Sequence, residues 1–252
     1  VAPAASSATR HGKDCLTRIP RKTVPKTAEP QESIRVLYRD AHLAVLDKPA
    51  DLSLLADRSG AANLWDALPA LLGARPYLVH RLDKGTSGVL LVALTPQTQS
   101  ELTRAFAARR VRKYYVAWVA GRLDAPGTQT IDLPLRRGRK SRFRVAGERA
   151  AIVRRSSGWH IAAADPSGLA SLTRLRVLAG GPSTTKILLA PVTGRTHQLR
   201  VHLAWIGHPI LGDSLYGTPD SPAQAAPRLL LHCHRLVVPG YGPFRAPLPS
   251  TF

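Results

Sequence analysis

The chain has 252 residues, enough for one large core or two smaller ones, and sets 36 Lys and Arg against 16 Asp and Glu, a formal charge of +20. Such an excess draws polyanions, which ranks nucleic acid first among partners and an anionic membrane surface second. No apolar run approaches the roughly 20 residues of a bilayer-spanning helix, and two cysteines, Cys15 and Cys233, form no disulfide framework, so a reducing, cytoplasmic setting is expected.

Residues 1–33 combine Ala, Ser, Thr, Pro, Lys and Arg without apolar periodicity and read as a basic, disordered tail. The tail has no apolar stretch of a secretory signal, although its acid-poor character overlaps with organelle transit peptides. An arm on nucleic-acid phosphates and plain solvated chain are its two readings. Residues 34–38 and 43–46 predict a hairpin of two strands, ended by Lys48 and Pro49. The spacing of Leu64, Trp65, Leu68, Leu71 and Leu72 predicts a helix over 63–73 that stops at Gly73.

Apolar runs at 77–79 and 89–93 then flank a polar nonapeptide, residues 80–88, that holds His80, Arg81, Asp83, Thr86 and Ser87 between two buried strands. Such a stretch is either a turn whose side chains tie up their own backbone or a loop that carries chemistry. A second polar run, 193–200, just ahead of a predicted helix, tilts the balance toward chemistry.

Thr95 and Pro96 open a helix expected to close on Arg109 and Arg110. Residues 113–120 predict a strand inside the sheet. Residues 121–165 carry little periodicity. Within them the run 136–144 is densely basic, and reads as a solvated loop or as a phosphate-tracking patch. Strands follow at 172–178 and 187–189, the second ended by Pro191. The helix after Gly194 carries Leu199, Leu203 and Ile206 and stops at Gly207. His197, His202 and His208 lack one-face metal spacing. His232, Cys233 and His234 have no second ligand cluster, so no metal is expected. Short strands separated by turns, with few helices, predict an α+β fold on a mixed, mostly antiparallel sheet.

The residues His80, Arg81, Leu82, Asp83, Thr86, Ser87 and Gly88 resemble the HRLDxxTSG signature of the RluA-type RNA pseudouridine synthases. Residues 193–200 resemble that family's TGRTHQIR element, and residues 202–213 its HLAxxGHPIxGD element. Lys48, Pro49 and Ala50 match an early KPAG element, with Asp51 in place of its glycine. Leu230, Leu231, His232, Cys233 and Leu236 match a late LLHAxxL. The resemblance spans about Ile34 to Phe252.

It implies one catalytic domain over 34–252 with a central RNA-binding cleft, and no cofactor. Only about 33 residues precede the first strand, too few for the small accessory RNA-binding domain of many members. Target choice is then expected to fall to the catalytic domain and its basic surface. The resemblance assigns Asp83 as the catalytic carboxylate, either as nucleophile at the anomeric carbon or as base on the neighbouring sugar proton. It assigns Arg195 as the guanidinium that pairs with Asp83, and Tyr115 as the phenol against the flipped base. Tyr114 alternates to the other face. Arg81 is the wedge that fills the gap left by the extruded base, His80 and Lys113 are RNA contacts, and Leu236 packs around the base.

The function implied is isomerisation of a uridine in a stem-loop of ribosomal or transfer RNA by a monomer with no obligate protein partner. A non-catalytic RNA-binding or ribosome-assembly protein on the same scaffold is the alternative. Asp83, Tyr115 and Arg195, all intact, argue against it.

Overall fold

A computed structural model describes residue 1 and residues 34–57, 60–139, 142–217 and 226–252; the tail beyond Val1, with Cys15, lies outside the described residues. The first hairpin forms where the sequence predicts it, from β1 (Arg35–Arg39) and β2 (Leu43–Lys48). Asp40 closes its turn by accepting from the backbone N–H of His42 and Leu43 at 2.7 and 2.8 Å, an Asx turn. Behind β2 runs β4 (Ser87–Ala93), buried at every position, as an unbroken apolar run requires. The short β3 (Tyr77–Leu78) pairs with the end of β4.

Helix α1 (Leu64–Leu72) starts where the Asn63 side chain accepts from Asp66 N–H at 3.1 Å and ends at Gly73, whose φ is 56°. Its buried face is Leu64, Leu68 and Leu72, the i, i+4, i+8 stripe of an amphipathic helix. Helix α2 (Pro96–Ala107) is capped by Thr95 and stops short of the expected arginine pair. Arg109 instead takes a left-handed φ of 56° and turns the chain out toward β5 (Arg112–Ala120).

Strand β5 is interior, as predicted. It lies between β12 (Thr184–Pro191) and β13 (Leu231–Val238) in a twelve-stranded sheet. Beyond β12 come β11 (Leu172–Gly180), β6 (Thr128–Asp132), β10 (Gly158–Ile161) and β9 (Ile152–Arg155), while β14 (Gly242–Arg245) pairs with β13. Two pairings, β4 with β13 and β6 with β10, are parallel and the rest antiparallel. A separate hairpin joins β7 (Leu135–Arg137) to β8 (Phe143–Val145) across part of the basic run. Lys140 and Ser141 at its tip lie outside the described residues. The fold is thus α+β on a mixed, mostly antiparallel sheet, with α3 (Gln198–Trp205) as the third flanking helix.

Two hydrophobic cores meet at the centre of the sheet. The first packs α1 and α2 on β2 and β4 through Leu46, Leu68, Leu90 and Leu102. The second packs α3 on β12, β11 and β6 through Leu199, Leu203, Ile187, Leu175 and Ile131. Tyr115, on the interior strand, packs against both. The seam between the cores therefore lies over β5, and there the polar loops converge.

Candidate active site

The nonapeptide is fastened by its even and apolar positions, which leaves few groups free to act. His80 accepts the Leu91 backbone N–H at Nε2, 2.9 Å away, and stacks on Phe106 with ring centroids 4.8 Å apart. Burial, then the nearby Lys113 cation, push its pKa down to about 3, so it is a neutral acceptor. Leu82 enters the first core. Thr86 N–H closes a turn on the Asp83 carbonyl at 3.0 Å. The Gly88 φ is 108°, and a Cβ there would lie 2.3 Å from the Cys233 carbonyl oxygen, so only glycine lets β4 approach β13. Lys48 is fully buried and donates from Nζ to the carbonyls of Pro49 and Lys84, at 2.7 and 3.0 Å. Burial lowers its pKa to about 8, against the opposing pull of Asp51 and Asp83. Arg81 and Asp83 remain facing the cleft. Arg81 is exposed, with no hydrogen bond or ion pair to it among the described residues.

The facing wall is the loop into α3, and its knot is Gln198. The Gln198 carbonyl oxygen accepts from Thr193 Oγ1 at 2.7 Å and Arg195 N–H at 3.0 Å, and its amide donates to Leu172 O and Thr173 Oγ1, both at 3.0 Å. All four of its hydrogen-bonding sites are used inside the protein. Arg200, in the first turn of the helix, grips the buried Asp213 in a two-point pair, Nε to Oδ2 at 2.8 Å and Nη2 to Oδ1 at 2.7 Å. Its remaining nitrogen, Nη1, points to Asp83 Oδ2 at 3.6 Å. The hydrogen bonds and charge of Asp213, with the charge of Asp83 behind them, outweigh burial and raise the Arg200 pKa. His197 Nε2 lies 3.9 Å from the same Asp83 oxygen.

This geometry corrects two expectations. The guanidinium beside Asp83 is that of Arg200, not Arg195, whose Nε turns away to the Ala170 carbonyl at 3.3 Å. Arg195 precedes the helix and lines the cleft rim, whereas Arg200 projects inward from the helix itself. The sequence held both arginines. In the structure His197 and Arg200, i and i+3, share one face of the first turn. Leu236 is also displaced: it has no exposed surface and belongs to the first core, away from the cleft. Leu231, five residues earlier on β13, lines the cleft in its place.

The remaining predicted residues come together. His80, Arg81, Asp83, Lys113, Tyr115 and Arg195 all border one cleft of about 450 Å3, within the roughly 300–1,000 Å3 range of small-molecule sites. Lys113 is partly buried, which lowers its pKa against the opposing influence of Cys233. Tyr115 has its pKa pushed well up, first by burial and then by the Cys233 thiol and the Asp83 carboxylate, so it stays a neutral phenol. Tyr114 lies on the opposite face beneath the Arg235 guanidinium, 5.7 Å from its ring centroid. Two arginines of the basic run are engaged internally, Arg136 on Asp165 at 3.0 Å and Arg144 over the Trp205 ring. Arg137, Arg139 and Arg142 are exposed.

Residues 42–205 match the family model described as RNA pseudouridylate synthase. The chain is 37% identical over 231 residues to the dual-specificity RNA pseudouridine synthase RluA of Escherichia coli K12, covering 86% of this chain and 95% of that one. An uncharacterised RNA pseudouridine synthase of Zymomonas mobilis is 36% identical over 226 residues, with the same shares covered. Among solved structures, human RNA pseudouridylate synthase domain containing 1 superposes with a TM-score of 0.71 at 29% identity, covering 89% of this chain and 87% of the other. With an acid, a neutral phenol and a guanidinium converging over the seam of this fold, the chain belongs to the RNA pseudouridylate synthase family and is an isomerase acting on RNA.

Proposed function

We propose that the protein converts a specific uridine in a stem-loop of ribosomal or transfer RNA to pseudouridine, with Asp83 as the group on which the reaction turns. The observation that carries this reading is the placement of Asp83 on the cleft, 3.6 Å from Arg200 and 3.9 Å from His197. The isomerisation breaks a base–sugar bond, turns the uracil and rejoins it through carbon 5, with no net redox change. An ionised carboxylate beside the sugar is what both candidate first steps require, attack on the anomeric carbon or removal of the neighbouring sugar proton. The Arg200 guanidinium sets a positive charge 3.6 Å from that carboxylate. The gap between Arg200 and Asp83 exceeds hydrogen-bond length, as free enzymes often show before substrate tightens the site.

The other lining residues fit parts of the same task. Tyr115, held neutral, offers a ring face to the uracil and an O–H to donate. Arg81, exposed at the rim, is free to enter the stack as the target base leaves, offsetting an extrusion cost of a few kcal/mol. Lys113 and Arg195 supply positive charge toward the backbone, and the chain's +20 charge supports a polyanionic, structured substrate. The protein acts as a monomer in this reading.

Nucleotide-resolution mapping tests it. Unmodified total ribosomal and transfer RNA is incubated with wild-type protein and with Asp83→Asn. New pseudouridine at one or a few stem-loop uridines is expected with wild type only, with the Asn variant still binding RNA. Product from Asp83→Asn near the wild-type rate would remove Asp83 from the chemistry. Release of free uracil by wild type would indicate a glycosidase instead.

A further inference from the structure

His197 holds a backbone conformation that its residue type disfavours. Its φ is 55°, in the left-handed region, which costs a non-glycine residue on the order of 1 kcal/mol. It occupies the cap position of α3, yet its side chain caps nothing. The strain places the imidazole between two partners. On one side His197 Nδ1 meets the Tyr216 hydroxyl at 2.8 Å, and on the other Nε2 faces Asp83 Oδ2 at 3.9 Å. Edge-on contacts with Phe143 and Tyr216, centroids 6.1 and 5.6 Å away, fix the plane of the ring.

The proton positions along this line follow from what each group can do. The Phe143 backbone N–H can only donate, and it donates to the Tyr216 oxygen at 2.9 Å. With one lone pair so taken, the Tyr216 O–H can be directed to His197 Nδ1. Burial lowers the His197 pKa, Asp83 opposing and Arg200 assisting, so the ring is neutral. A neutral imidazole that accepts at Nδ1 carries its proton at Nε2. That N–H faces the Asp83 carboxylate.

The line begins in the basic hairpin. Phe143 is the first residue of β8 and pairs with Arg137 across the β7–β8 ladder. Arg137, Arg139 and Arg142 are exposed, and no ion pair to any of them is present among the described residues. Phosphates drawn to this end of the hairpin would bear directly on the residue whose N–H anchors Tyr216.

We propose that His197 is a positioning residue for Asp83, and that its proton is placed by the β7–β8 hairpin through Tyr216, so that RNA seated on the hairpin is read at the carboxylate. This rests on the pseudouridine synthase reading of the site. It gives His197 a defined task and adds roles for three residues that the reaction scheme does not otherwise use: Phe143, Tyr216 and, at the hairpin end, Arg142.

The test combines a spectroscopic signature with a rate. Nitrogen NMR of histidine-labelled, RNA-free protein is expected to show His197 with its proton on Nε2. In Tyr216→Phe, which keeps the ring over Arg200, both tautomers are expected. Single-turnover pseudouridine formation by Tyr216→Phe should fall about tenfold, the scale of one lost hydrogen bond at the transition state, with RNA affinity within about twofold of wild type. His197→Gln, whose amide can donate toward Asp83, should retain more activity than His197→Ala. Combining Tyr216→Phe with Arg142→Ala should cost less than the product of the two single losses.

An Nδ1-protonated His197 in the wild type overturns the proposal. So does a Tyr216→Phe loss that lies wholly in affinity, or full multiplicativity with Arg142→Ala. The tautomer is read without RNA, so it tests the line even if wild type forms no pseudouridine, an outcome that would count against the function and not against the proton placement.

Discussion

The two walls of the cleft are built by opposite means. The β3–β4 loop is fastened from beneath by uncharged or backbone contacts: His80 to Leu91, Lys48 to Lys84, and Gly88 against β13. Its acid, Asp83, makes no ion pair with a cation of its own wall among the described residues, although the buried Lys48 feels its charge. The α3 wall is fastened by a polar knot at Gln198 and an ion pair, Arg200 with Asp213, and it brings the positive charge. The carboxylate belongs to one hydrophobic core and its electrostatics to the other. Joining the two cores across β5 therefore assembles the site, and neither wall carries the chemistry alone.

The hardest way to break that arrangement is Arg200→Ala. It leaves Asp213, 1% exposed, as a buried carboxylate without its cation, a loss of about 3–5 kcal/mol. Denaturant unfolding should show this, while Arg195→Ala, on the rim, should stay within about 0.5 kcal/mol of wild type. Equal effects would mean that the two arginines are interchangeable.

Acid acts on both walls, through His202 on one and His80 on the other. His202, beneath the α3 wall, bonds Thr173 Oγ1 at 3.0 Å and Leu133 O at 2.9 Å, and burial lowers its pKa to about 4 from 6.5. A depressed folded-state pKa means that the unfolded chain binds the proton first. Its stabilising contribution is then whole above pH 6.5 and is lost as pH falls toward 4, roughly 3 kcal/mol over that window. Unfolding free energies measured from pH 7 to 5 should fall, and the slope should flatten in His202→Asn. An unchanged slope would place the acid sensitivity elsewhere, with His80 and His232, also lowered, as the next groups to replace. A smaller effect is expected from Gln198→Ala, roughly 2 kcal/mol for the partners left unpaired, together with a looser α3 entrance.

The sequence made the first core easy to read. Long apolar runs such as 89–93 and capped helices such as 96–107 have one physical solution, and both ends of α1 follow from Asn63 and Gly73. Asp51, standing in place of the family's glycine, keeps a left-handed φ of 60°. The region 121–165 hid five strands because each is three to five residues long, because β7, β8 and β9 carry arginines, and because β10 begins with a glycine. A Cβ at Gly158 would meet the Thr130 carbonyl oxygen at 1.9 Å, a tertiary demand with no local signature. In the site, motif spacing located both loops and the cleft. It did not tell Arg195 from Arg200, because the distinction depends on Asp213, thirteen residues on, which turns one guanidinium inward. It matched Lys48 to a motif but not to its role, which lies in a carbonyl 36 residues away.

The most direct test of the two-wall account is the single-turnover rate of pseudouridine formation in Arg200→Lys and Arg195→Lys, on one RNA and with folding checked for each. Lysine keeps the charge but cannot hold Asp213 at two points and face Asp83 with a third nitrogen. The account predicts a rate lowered by about tenfold or more for Arg200→Lys, and within about threefold of wild type for Arg195→Lys. The reverse order, with Arg195→Lys the slower enzyme, would contradict it.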